Sequence, residues 1–178
     1  MNQFHPHTPA ASTDNPIALL RACHVKIADH TALLERVRQH IEQNGVDAAA
    51  REAIEKIIRY FVQAAPLHHQ DEEQDLFPLL EAAAKAEDNE EVLDALEFLR
   101  EDHGKLETRW QAMLTQLQAI LATQSGNIDA AAARQFVSAY QRHIEAENTL
   151  ILPYAQTCLD QATLNTIGQA MKARRTAA

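Results

Sequence analysis

Four histidines and two glutamates carry the chemistry open to this chain. His68 is followed four residues later by Glu72, and His143 in the same way by Glu147, while His24 and His103 stand alone on other segments. On a helix, side chains at i and i+4 share one face, one turn apart. Each His-x-x-x-Glu pair therefore directs both groups the same way. Neutral imidazole and ionised carboxylate are ligands for divalent transition metals. Two carboxylates from opposite helices can bridge two ions, with imidazoles in the outer positions. The pattern also repeats. His68, Glu72 and Pro78 map onto His143, Glu147 and Pro153 at a constant offset of 75, and Cys23-His24-Val25-Lys26-Ile27 maps onto Asp102-His103-Gly104-Lys105-Leu106 at an offset of 79. Two similar helical hairpins, each with one lone His and one His-x-x-x-Glu, suit a pseudo-twofold dinuclear centre.

The elements that position these groups are helices. The 178 residues hold only four Gly and six Pro, and 46% are apolar, a composition that favours helix and supports one sizeable core. Asp14 or Asn15 caps a first helix that begins at Pro16 and runs to about Gln43, stopping at Asn44-Gly45. Asp47 caps a second, to about Lys85, with a bend expected near Pro66. The third covers about Asn89–Thr123 and the fourth about Asp129–Pro153, and Asp160 caps a short fifth helix to about Arg174. Each long helix carries an apolar stripe at 3-4 spacing. On the second it includes Phe61, Ala64, Leu76 and Leu79, and on the fourth Phe136, Tyr140, Leu150 and Tyr154. The expected fold is all-α: an antiparallel up-down four-helix bundle over residues 16–155, after a flexible lead-in of residues 1–15 and before a C-terminal helix and tail of residues 156–178. In that topology the starts of the first and third helices lie beside the ends of the second and fourth. At about 1.5 Å rise per residue, all six groups then fall within one or two turns of a common level. Ionisable groups buried there cost several kcal/mol each if unpaired, and a metal compensates them.

Charge and motifs exclude other classes. Sixteen Lys and Arg against 25 Asp and Glu leave a net charge of −9, unsuited to nucleic acid or an anionic membrane. No apolar run reaches membrane-spanning length. Two cysteines, Cys23 and Cys158, make no disulfide framework, and the N-terminus lacks a signal-peptide pattern, so the expected location is the cytoplasm. Self-association into an oligomer is compatible with the sequence. There is no GxSxG, P-loop or HExxH motif, and the ExxH motif of ferritin-like di-iron bundles is absent.

The order H … HxxxE … H … HxxxE, with EE-x-x-LFP after the first pair and E-N-x-x-x-L-P after the second, resembles the hemerythrin-like cation-binding (HHE) family over about residues 16–155. The resemblance implies a four-helix bundle with a non-haem di-iron centre. Its ligands carry over to His24, His68, Glu72, His103, His143 and Glu147, with Glu72 and Glu147 bridging. The oxygen-carrying members have a second His one turn after the one on the third helix; Glu107 stands there in this chain. A third carboxylate would make the site harder and more anionic, suited to ferric iron. His69 is the other candidate for a seventh ligand. Tyr140, one turn before His143, is a candidate hydrogen-bond donor to a bound ligand or bridge. Two iron ions rest on the resemblance; the donor set alone also admits manganese or zinc.

The expected function is a di-iron protein that binds or reacts with a small oxidant or diatomic, O2, NO or H2O2, in sensing, scavenging or stress response. The alternative is an iron-binding or iron-handling protein without catalytic turnover, to which an acidic surface and a carboxylate-rich site are also suited.

Overall fold

The computed structural model describes residues 15–177; the lead-in of residues 1–14, with His5 and His7, lies outside the described residues. Every regular element among the described residues is helical: α1 (Pro16–Asn44), α2 (Ala48–Gln70), α3 (Phe77–Ala86), α4 (Glu90–Thr123), α5 (Ala130–Ala146), α6 (Leu152–Cys158) and α7 (Gln161–Ala177). Side-chain caps begin the helices that follow loops. Asn15 accepts from the Ala18 amide (3.0 Å), Asp47 from Ala50 (2.8 Å), Asn89 from Val92 (3.2 Å), Asp129 from Ala132 (2.6 Å) and Asp160 from Thr163 (2.8 Å). Gly45 ends α1 at φ 76°, in the left-handed region that favours glycine. No helix of the described residues is long and apolar enough to cross a membrane.

α2 and α3 form one rod joined by a π-helical turn, Asp71–Leu76, and α5 and α6 form another joined by Glu147–Ile151. With α1 and α4 they make the four-helix bundle. The helix runs on through Pro66 to Gln70, and the regular hydrogen-bond pattern changes only at the π-turn that begins at Asp71. The cause lies downstream. Pro78 and Pro153 have no N–H for the carbonyl four residues back, and their rings crowd it. In both rods the residue just before the proline reaches one further instead: Phe77 N–H donates to the Glu72 carbonyl and Leu152 N–H to that of Glu147. The extra residue in each turn advances the inward face by one. Leu80 is therefore buried where Leu79 was expected, Ile151 where Leu150 was, and Ala155 where Tyr154 was. Ahead of the first π-turn the buried alanine is Ala65 and not Ala64.

The apolar interior is in two parts. One contains Ile27, Leu34, Ile57, Phe61, Leu106, Trp110, Phe136 and Tyr140, and the other Leu20, Leu76, Phe77, Leu80, Leu99, Ile151 and Leu152. Along every rod the residues between the two parts are the predicted ligands: His24, His68 with Glu72, His103, and His143 with Glu147.

α7 packs Ile167 and Met171 into the second part of the core. Its far end grips the first π-turn. Asp71, fully buried, receives Arg174 Nη1 and, at 2.5 Å, Arg175 Nη2, and Arg174 also reaches Asp75 at 2.8 Å. A buried carboxylate stripped of its partners is an uncompensated charge. Replacing Arg174 and Arg175 together by Ala is expected to destabilise the chain by about 3 kcal/mol in urea unfolding. Lys172→Ala, on the exposed side of α7, is expected to change stability by less than about 0.5 kcal/mol. Equal stability for the two variants would show that the Asp71 contacts contribute nothing.

Candidate metal centre

The six predicted residues meet in one layer. His24, His68, Glu72 and Glu147 each offer a ligand atom within 4.8 Å of the others, as do Glu72, His103, His143 and Glu147. The two carboxylates belong to both groups and so occupy the bridging place between two lobes. His24 Nε2 lies 3.0 Å from Glu147 and 3.7 Å from Glu72, and His68 Nε2 lies 3.3 Å from Glu72. On the other side His103 Nε2 is 3.5 Å from Glu72 and His143 Nε2 is 3.3 Å from Glu147. All six residues are at most 5% exposed.

Of the inward-facing atoms, His103 Nε2 and His143 Nε2 meet at 3.1 Å, and the others have no hydrogen-bond partner although they are close. His24 Nε2, His68 Nε2 and all four oxygens of Glu72 and Glu147 are buried in this condition. Such groups are rare because each costs free energy. Lone pairs that converge without aligning on one another are aimed at a common third centre. The donors are two oxygens and two or more nitrogens per lobe, a set that fits a transition metal.

Proton affinities agree with this crowding. Burial favours neutral rings, but the Glu147 and Glu72 carboxylates outweigh it and push His24 up to about 10. Burial is likewise overcome at His143, by Glu147 and Asp102, again to about 10. For Glu72, burial opposes ionisation, yet the surrounding imidazoles hold its carboxyl well below the usual range. Without a cation, the carboxylates draw protons onto the rings; a metal ion takes the place of those protons.

The outer ring nitrogens are held by residues next to the ligands in sequence. His24 Nδ1 meets Asn148 Oδ1 at 2.9 Å, His103 Nδ1 meets Glu73 Oε1 at 2.6 Å, and His143 Nδ1 meets Asp102 Oδ2 at 3.2 Å. These partners fix ring orientation and raise ligand basicity. They lie outside the His-x-x-x-Glu motifs, although the repeat contains two of them: Glu73 maps onto Asn148 at the offset of 75. Asp102 maps onto Cys23, which supplies no such acceptor, and His68 Nδ1 is buried without a partner.

The three additional candidates separate. His69 joins His103 and His143 in a third group within 4.8 Å and stacks on His103 at 4.1 Å, its Nε2 buried and unpartnered. Burial, then the neighbouring His103, drives its pKa well below the ordinary value, so the ring is neutral. Glu107 is outside the cluster: it is exposed and accepts from Gln111 Nε2 at 2.7 Å. The inward seam of α4 steps from His103 to Leu106 and Trp110, which turns Glu107 outward. Tyr140 is buried and stacks near His69 at 6.3 Å, but among the described residues its hydroxyl makes no hydrogen bond.

Fold and site together define a metal-binding helical bundle. The family profile described as the hemerythrin HHE cation-binding domain matches residues 15–155, and the chain belongs to that family. The chain is also 33% identical over 165 residues to an uncharacterised protein of Haemophilus influenzae, a similarity that spans 93% of this chain and 92% of the relative.

Asp102→Asn removes the carboxylate behind His143 while keeping its shape. It is expected to weaken metal affinity by about 10–100-fold in chelator competition, whereas Glu107→Gln leaves affinity unchanged. The reverse ranking would exchange the places of these two residues in the account of the site.

Proposed function

We propose that this chain is a non-haem di-iron protein whose centre binds or reacts with a small oxidant or diatomic, O2, NO or H2O2, in sensing, scavenging or stress response. The observation that carries this reading is the pair of buried carboxylates common to two ligand groups. His24 and His68 would hold one iron and His103 and His143 the other, with His69 beside the second and Glu72 and Glu147 between them. When bound, two irons would supply redox chemistry that the protein's own side chains lack. The chain's part is to fix the donors, keep His69 neutral, and enclose the layer between two apolar clusters so that bulk water is excluded. The two free thiols, Cys23 and Cys158, suit a reducing compartment such as the cytoplasm.

The test is the absorption spectrum of the anaerobic, ferrous-loaded protein during exposure to O2, NO and H2O2 in turn. A change in the near-ultraviolet iron bands with at least one of them is the expected result. Sustained O2 evolution from H2O2 would make the protein an enzyme, and a stable spectral change without turnover a sensor or carrier. Iron that responds to none of the three and passes readily to a mild chelator would overturn this reading in favour of iron handling.

A further inference from the structure

Away from the metal layer, three arginines line one cleft without an ion pair among the described residues. Arg109 on α4 and Arg134, Gln135, Ser138 and Arg142 on α5 line a cleft of about 210 Å³. Arg134, Ser138 and Arg142 fall at i, i+4 and i+8, a single stripe along α5. Of the other arginines, Arg38, Arg100, Arg174 and Arg175 reach carboxylates, whereas Arg21, Arg36, Arg51 and Arg59 make no ion pair among the described residues; what sets the cleft apart is three arginines lining one space. Among the described residues the three cleft arginines make no ion pair, and none of the five lining side chains makes a hydrogen bond to another residue. Arg109 Nη1 is buried and has no acceptor. Arg134 and Arg109 act on the Glu35 and Asp102 carboxylates only through space, and both of those carboxylates have closer partners. Glu35 is bound by Arg38 and Gln39, Glu107 by Gln111, and Asp102 by His143.

A buried guanidinium donor without an acceptor calls for an unrecorded ion or water. Three guanidiniums repel one another unless an anion lies between them, and their planar forks match oxyanions. The cleft is shallow and open to solvent, about 210 Å³, so the part of a ligand seated among the arginines is small. Three positive charges in that space favour a dianion over a simple carboxylate. We infer that the α4–α5 cleft is a binding site for a phosphate group, either inorganic phosphate or the phosphoryl end of a small phosphomonoester, with Arg109, Arg134 and Arg142 as its ligands and Ser138 and Gln135 as neutral donors.

The test is calorimetric titration of the metal-loaded chain at constant ionic strength with inorganic phosphate, glycerol 3-phosphate and acetate. Saturable binding of a phosphate probe and none of acetate is expected. Arg109→Gln should weaken it by about tenfold or more, and Arg134→Gln/Arg142→Gln, both at exposed helix positions, should remove it while circular dichroism stays unchanged. Tighter binding of glycerol 3-phosphate would identify a phosphomonoester as the occupant, and tighter inorganic phosphate the free ion. Phosphate binding that survives all three substitutions would place the ion elsewhere, for example on the metal, and overturn the inference. No saturable binding in the unaltered chain would overturn it as well.

Discussion

Everything in this fold is arranged around one energetic problem: four imidazoles and two carboxylates lie in a single buried layer between two apolar clusters. A layer of that kind interrupts the core on all four rods. Left to itself it is a set of unaligned polar atoms in a low-dielectric interior, where each one costs more than it would in water. Held by these side chains, a metal cation would convert the same atoms from a cost into a cross-link of four helices. Metal binding and bundle stability are then one quantity seen from two sides.

The two π-turns follow from that requirement. Each begins at or just before one of the two buried glutamates, and each ends at a bond back to that glutamate's carbonyl. The prolines at 78 and 153 force the extra residue, and the register change lets a helix that faces the metal with Glu72 or Glu147 still bury leucine and isoleucine beyond it. The hairpins are related by approximate twofold symmetry, but they are not equivalent. His143 is backed by Asp102 while His68 has Cys23 in the corresponding position and no acceptor. His69 adds an imidazole to the other lobe, and Ile144 occupies its mapped place. The first π-turn is fastened by α7 through Asp71, where the second has Ala146. The lobes therefore differ in how firmly their ligands are oriented.

Much of this was legible in the residue order. The His and Glu spacing, the apolar stripes and the capping residues are local signals tied to a 3.6-residue period, and they placed the helices and the ligand layer. The misreadings share a physical origin. A proline marks a local bend at its own position, whereas the effect of Pro78 appears upstream of it, in the turn Asp71–Leu76. Extrapolating a constant period past a π-turn selects Leu79, Leu150 and Tyr154 instead of the residues next to them. Glu107 was placed by analogy with a ligand one turn after His103, whereas the seam of α4 advances there by three residues. The Asp71 contacts with Arg174 and Arg175 span more than a hundred residues, and no local pattern could reveal them.

Iron content per chain, in protein purified from iron-supplemented cells, tests the dinuclear account most directly, measured for the unaltered chain and for Glu72→Gln/Glu147→Gln. About two irons per chain, one for each carboxylate-sharing lobe, falling to well below one in the double variant, is the result that the shared-carboxylate arrangement requires. No bound iron in the unaltered chain, or a content that the double substitution leaves intact, would contradict it.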